Sequence, residues 1–221
     1  MKVVGVSQRV DVCPINNETR DALDQRLSTF LLTVGFIPVP IPNALGISYL
    51  DGQRNRLALH EWFASVKPTA IVLSGGNDIG RCGERDVTEK TLLDHLSEHR
   101  TPLLGICRGM QMMAHWAGTE IYRVQGHIRT RHKLSGKIEG EANSYHHFSL
   151  KNCPEDFEVL ARSEDGEIEA ISHKHLPWEG WMWHPEREEE ISNRDKQRIQ
   201  SLFVNRLGGK IPEGFSGMER I

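Results

Sequence analysis

The sequence predicts a three-layer α/β/α sandwich on a mostly parallel central sheet. In the first half, four apolar, strand-like runs alternate with four helical patterns; the runs are KVVGV at 2–6, FIPVPI at 36–41, AIVLSG at 70–75 and PLLGIC at 102–107. That alternation is the mark of parallel strands joined by crossover helices. From about residue 120 the pattern shortens to β-like pieces, FEVLARS, EIEAISH and WEGWMWH, which implies a partly antiparallel second half.

The elements follow in order. Leu23, Leu27, Phe30, Leu31 and Val34 fall on one helical stripe that Gly35 stops. The prolines of FIPVPI suit an edge strand or strand ends. Leu59, Trp62, Phe63 and Val66 make a second stripe, closed by Pro68, and 84–98 reads as a helix. RGMQMMAHWAG is a short helix ended by Gly118. The last segment, NRDKQRIQSLFVNRLG, is amphipathic through Ile199, Leu202, Phe203 and Leu207, with Ser192 or Asn193 as its cap.

A chain of 221 residues suits one domain over 1–221. A formal charge of -3 advertises no basic nucleic-acid surface. No apolar run is long enough to span a bilayer, and MKVVGVSQRV lacks the apolar core of a signal peptide. Cys13, Cys82, Cys107 and Cys153 are far apart and form no C-x-x-C pair, so free thiols in a cytoplasmic, reducing compartment are expected.

Function in such sheets gathers at the carboxyl ends of the strands. Two ends stand out, SGGND at 74–78 and GICRG at 105–109. Gly-x-Cys-x-Gly between a strand and a helix has the form of a nucleophile elbow. The turn strains the nucleophile's backbone, and side chains at the flanking positions would collide with a neighbouring strand or helix. The thiol then sits over the first turn of a helix, whose dipole favours thiolate. The alternative is a packed core thiol.

A thiol nucleophile needs a base, and the base needs an orienter. Of the eleven histidines His184 is the most telling: an apolar strand runs into it, Pro185 stops the strand, and Glu186 can reach the same imidazole around a turn. Taken alone, the same residues are a surface His-Pro turn opening an acidic run. Acyl transfer also needs oxyanion donors. The SGGND turn and the N–H of Arg108 can supply them, although a plain glycine turn is the other reading. His146 and His147 are adjacent and point to opposite faces of a strand, with no H-E-x-x-H or paired-cysteine motif, so no metal site is read from the sequence. His173 and His175 read as a surface edge near Pro177, and Trp178, Trp181 and Trp183 as core and pocket wall.

SGGND, GICRGMQ and WHPE, in this order and spacing, resemble the class I glutamine amidotransferase superfamily. With NSYHH at 143–147 and DGEIEAIS at 165–172, the chain looks most like the γ-glutamyl hydrolases of the peptidase C26 group. The resemblance runs from residue 3 to about 205. It implies a flavodoxin-like fold, a triad of Cys107, His184 and Glu186, and an oxyanion hole from the backbone of Gly76 and Arg108. Gln111 matches the position that holds the glutamyl α-amino and α-carboxylate groups. Ser144, Tyr145 and His146 match a loop lining the same pocket. The implied reaction cleaves the γ-glutamyl amide of a small molecule through a thioester and releases glutamate, with no metal or organic cofactor. Phe148 stands where that group usually has Gln, a departure that bears on substrate choice.

VSQRV at 6–10, NNETRDALDQR at 16–26 and PVPIPN at 38–43 resemble the branch that hydrolyses γ-glutamyl-CDP-amidate while surface polysaccharides are decorated with phosphoramidate. A diphosphate leaving group needs cations. RVQGHIRTRHK at 123–133 offers Arg123, Arg129, Arg131 and Lys133 besides His127 and His132, and Arg9 and Arg108 could add to them. The same segment also reads as a solvated basic loop. A γ-glutamyl-γ-aminobutyrate-type substrate would not need the cluster. A glutaminase subunit feeding ammonia to a separate synthetase and a silent binding subunit stay open, although all three triad residues are present. The expected partner is the small-molecule amide, with neither nucleic acid nor membrane, and a homodimer as the candidate assembly.

Overall fold

A computed structural model describes residues 1–45 and 52–204; Leu207 of the last helical stripe lies outside them. The chain opens with β1 (Lys2–Ser7), a hairpin of β2 (Arg9–Val12) and β3 (Thr19–Ala22), α1 (Gln25–Thr33) and β4 (Phe36–Ile41). The alternation continues through α2 (Gly52–Val66), β5 (Ala70–Leu73), α3 (Gly83–His99), β6 (Leu103–Ile106) and α4 (Arg108–Trp116). Then follow β7 (Ile121–Arg123), β8 (Ile128–Gly136), β9 (Gly140–Tyr145), β10 (Phe148–Leu150), β11 (Phe157–Arg162), β12 (Ile168–His173), β13 (Trp178–Trp181) and α5 (Asn193–Val204).

The central sheet runs β4-β1-β5-β6-β13-β12-β11-β8-β9. The strands from β4 to β13 are parallel and those beyond are antiparallel. Strand alternation sorts the core into two faces. Val4, Val6, Val72, Leu104 and Ile106 pack under α1 and α5 through Leu27, Phe30, Ile199 and Phe203. Ile71, Leu73 and Leu103 pack under α2, α3 and α4 through Leu59, Leu92, Leu93, Leu96 and Met110. The fold is therefore the α/β/α sandwich that the pattern predicts. No helix among the described residues is long and apolar enough to cross a membrane.

Local chemistry explains the boundaries. Asp24 caps α1 by accepting the N–H of Arg26, so Leu23 precedes the helix and packs on the core from outside it. Ser192 caps α5, its Oγ accepting the N–H of Asp195 at 3.1 Å. Among the described residues β4 pairs only with β1, and at this edge Pro38 and Pro40 remove no ladder bond that a second neighbour would need. The tryptophans are core: Trp178, Trp181 and Trp183 are at most 1% exposed. Trp181 stacks on Trp183 at 5.3 Å, a contact worth about 0.5–1.5 kcal/mol beyond burial. His173 is a correction. It is buried rather than at a surface edge, and its Nδ1 accepts the N–H groups of His175 and Leu176.

One topological choice places the chemistry. β13, the last strand among the described residues, inserts beside β6 and runs parallel to it, with Trp178 opposite Leu103 and Trp181 opposite Ile106. The N–H of Cys107 donates to the carbonyl of Trp181 at 2.7 Å. Segments that leave these two strands therefore emerge side by side.

Candidate active site

The thiol comes first. Cys107 sits between β6 and α4 at φ 51°, ψ -105°, a backbone that L-residues adopt only under strain. It is held there by close packing. A Cβ on Gly109 would lie 2.2 Å from the carbonyl oxygen of Leu73 on β5, and one on Gly105 would lie 2.6 Å from Met113 Sδ. Neither flanking position has room for a side chain. The N–H of Arg108 is the first of α4, where no intrahelical acceptor exists. β5 pairs with β6 in parallel, so its glycine turn, with Gly76 at φ 113°, reaches the same edge.

His184 and Glu186 leave β13 on the same side. His184 Nδ1 lies 2.6 Å from Glu186 Oε1, and the imidazole is close enough to the Cys107 sulfur to interact with it electrostatically. Burial alone would lower the His184 pKa. The Glu186 carboxylate and the Cys107 sulfur overcome it and raise the value to about 10. Because this lies above the ordinary 6.5, the stabilisation from imidazolium formation is complete below about pH 6.5 and is lost as pH rises through about 10. Asn143 fixes the backbone of the base: its Oδ1 accepts the N–H of His184 at 2.9 Å and its Nδ2 donates to the carbonyl at 2.7 Å. The Tyr145 ring meets His184 edge-on at 5.8 Å, and the Arg187 guanidinium lies 4.7 Å over the Tyr145 ring.

Gly75 packs against the imidazole, and a Cβ there would be 2.7 Å from His184 Cε1. Gly75→Ala is expected to push the ring off the thiol and cost about 10²-fold in kcat with little change in melting temperature. Unchanged kinetics would show that the ring position is not critical.

A buried ionic network lies beneath. The guanidinium of Arg108 donates to Asp86 and Glu89 on α3. Arg85 donates to the same Glu89 at 2.9 Å and to the carbonyl of Ser74 at 2.6 Å. Ser7 joins it, donating to Glu89 at 2.8 Å and accepting the N–H of Ser74 at 3.0 Å. The network ties the elbow to the glycine turn. It also corrects one expectation: the Arg108 side chain is 2% exposed and paired, so it cannot meet a phosphate.

The other predicted residues divide. Gln111 is buried, donates to the carbonyl of Phe148 at 2.8 Å, and lines a hollow of about 490 Å³ with Asp78, Ile79 and Phe148. Arg9 is exposed and lines a small hollow of about 30 Å³ against Gly75, Gly76 and His184. Asn77 brings it there, clamping the N–H and carbonyl of Val10 on β2, each at 2.8 Å. A larger hollow, about 830 Å³, lies between α1 and residues 186–193, lined by Glu186 but by neither Cys107 nor His184. Tyr145 stays at the site. Ser144 and His146 do not line it: Ser144 Oγ donates to the carbonyl of His127, and His146 is 2% exposed with both ring nitrogens engaged in the interior. Arg131 is paired with Glu188 at 3.0 Å. Arg129 is the exposed residue of a β-bulge opposite Ser144 and Tyr145.

Sequence reading missed Asn143, Asn77, Arg85, Asp86 and Glu89. Only the Arg85–Glu89 spacing of one helical turn was a signal, and such pairs usually face solvent.

The chain's family and its relatives are those of α/β enzymes acting on carbon–nitrogen bonds. Residues 45–205 match the family Glutamine amidotransferase class-I, and the chain belongs to it. Among curated relatives, the γ-glutamyl-CDP-amidate hydrolase of Campylobacter jejuni is 33% identical over 86% of this chain and 92% of its own. The glutamine-hydrolysing GMP synthase subunit of Thermococcus kodakarensis is 32% identical over 57% of this chain and 70% of its own. A crystal structure from Thermoplasma acidophilum, assigned to a GMP synthase subunit, superposes with a TM-score of 0.62 at 21% identity over 92% of each chain, which shows the fold.

Proposed function

We propose that this chain hydrolyses a γ-glutamyl amide whose leaving amine is a nucleotide-linked phosphoramidate, with Cys107 as nucleophile, His184 as acid and base, and Glu186 as orienter. The observation that carries the chemistry is the His184 imidazole, bonded to Glu186 and interacting electrostatically with the Cys107 sulfur. The Cys107 sulfur attacks the γ-carbonyl carbon, and the oxyanion accepts the N–H groups of Arg108 and Gly76. The His184 imidazolium gives its proton to the leaving nitrogen, the C–N bond breaks and a thioester remains. Water, deprotonated by His184, attacks the thioester; glutamate leaves and the sulfur is regenerated. Gln111 and the hollow beside it receive the glutamyl α-end.

For the leaving group, similarity to the Campylobacter hydrolase over nearly its full length supports a phosphoramidate. The exposed Arg9, which also pairs with Asp11, the half-buried Arg187 beside it, and Arg129 on its bulge are the cations such a group needs. The GMP synthase relatives favour a second reading, release of ammonia from glutamine for a separate synthetase.

Glutamate release from γ-glutamyl-CDP-amidate, γ-glutamyl-γ-aminobutyrate and glutamine separates the readings. The amidate is expected to turn over fastest, with Arg9→Ala raising its KM. Faster turnover of glutamine, stimulated by a partner protein, would sink the hydrolase reading, and no release from any of them would favour a binding subunit. Glu186→Gln is expected to lower kcat by about 10³–10⁴-fold, because it removes the charge that holds the imidazolium and the tautomer. Its pH–rate profile should lose the limb set by the raised His184 value.

A further inference from the structure

Three buried side chains from separate segments converge beside the loop that carries Tyr145 and Phe148. They are His127 ahead of β8, His146 after β9 and Glu169 on β12, each at most 2% exposed. His127 Nδ1 lies 3.2 Å from His146 Nε2 and 3.5 Å from Glu169 Oε1, and His146 Nε2 lies 3.4 Å from the same oxygen.

Their outer atoms decide the proton positions. His127 Nε2 faces the Asp165 carboxylate at 2.9 Å, and His146 Nδ1 faces the carbonyl of Phe148 at 3.0 Å. A carbonyl and a carboxylate only accept, so both outer nitrogens carry the hydrogens. A neutral imidazole has one N–H, which leaves bare lone pairs on both inner nitrogens. While both imidazoles are neutral, those lone pairs and a carboxylate oxygen meet with no hydrogen between them.

Two further observations point into the same space. Among the described residues, Glu169 Oε1 and His132 Nε2 are buried atoms with no hydrogen-bond partner. His127, His132 and Glu169 also offer ligand atoms that all lie within 4.8 Å of one another. Two ligands about 2.05 Å from a tetrahedral zinc stand about 3.3–3.4 Å apart. The triangle of 3.2, 3.4 and 3.5 Å has that size.

We propose that His127, His132, His146 and Glu169 bind a divalent transition metal, zinc by their donor chemistry, in a closed four-coordinate site. Imidazole and carboxylate donors suit zinc, and four protein ligands leave no open position, so the role is structural. The Asp165 carboxylate and the Phe148 carbonyl are the outer partners that fix each ring. The same Phe148 carbonyl accepts from Gln111 at 2.8 Å, so the metal braces the loop that orients Gln111. The ligands are spread from 127 to 169, a spacing that matches no compact metal motif.

The test uses the full chain carrying Cys107→Ala, which removes the active-site thiol as a competing ligand. It is produced with zinc, desalted and analysed for metal. One tightly held zinc per chain is expected, replaceable by cobalt(II) with the visible absorption of a tetrahedral complex. Asp165→Asn alters only an outer, half-exposed partner, so the protein should fold; against a chromophoric chelator it should hold zinc about 10–100-fold more weakly. His132→Ala should lose the stoichiometric metal. The idea fails if folded protein, judged by circular dichroism, takes up no equivalent of zinc, or if Asp165→Asn binds it as tightly as its parent. Should His132→Ala not fold, Asp165→Asn alone decides.

Discussion

Cys107→Ala should lower kcat by about 10⁵–10⁶-fold, the scale on which a triad loses its nucleophile. Cys107→Gly should be equally inactive and yet more stable than Cys107→Ala by about 1–2 kcal/mol, because only the Cβ conflicts with φ 51°, ψ -105°. Urea denaturation of the two variants measures that difference, and glutamate release measures the activity. Turnover in either variant would remove Cys107 from the proposed mechanism. Equal stabilities would show that the elbow is not strained. The contrast separates two properties of one position: the sulfur carries the chemistry, and the backbone presents it.

Glu89→Gln should cost about 3–5 kcal/mol, since it leaves the buried guanidinium groups of Arg85 and Arg108 without their shared carboxylate. Activity should fall with it, because these arginines hold the elbow and the carbonyl of Ser74 in place. Burial would raise the Glu89 pKa, but the two guanidinium groups outweigh it and hold the value below the ordinary 4.5. A depressed carboxylate stabilises the fold above its unfolded pKa and stops doing so as pH falls through the folded one. The stability gap between the wild type and Glu89→Gln should therefore be full at neutral pH and close in acid. A gap under about 1 kcal/mol at pH 7 would mean that the network does not depend on this charge.

The α/β/α architecture was legible because buried parallel strands and amphipathic helices write apolar periods into the chain. The β2–β3 and β8–β9 hairpins were not. RVDV with TRDA, and most of IRTRHKLSG, face solvent, and polar strands carry no such period. The residues of NSYHH divide. Asn143 clamps the His184 backbone, only Tyr145 stays at the site, and Ser144 and His146 turn inward. Alternation along β9 sets which side chain points where, and its phase relative to the core cannot be read from a mixed polar run.

By itself the sequence determined the elbow. Gly105 and Gly109 are demanded by contacts with α4 and with β5, and the strain they permit falls on the residue between them. It also placed an imidazole and a carboxylate two residues apart at a strand end. The tertiary structure decided that these two ends meet, because β13 crosses the sheet to pair with β6 in a register that sets Trp181 against Ile106. It decided too that Arg108 faces inward to Glu89 rather than outward to a substrate, and that His127, His146 and Glu169 converge in the interior with the half-buried His132 beside His127 and Glu169. Local sequence specifies conformation over a turn or two. Which distant groups come into contact depends on strand order and register, and these are set by the packing of the whole core.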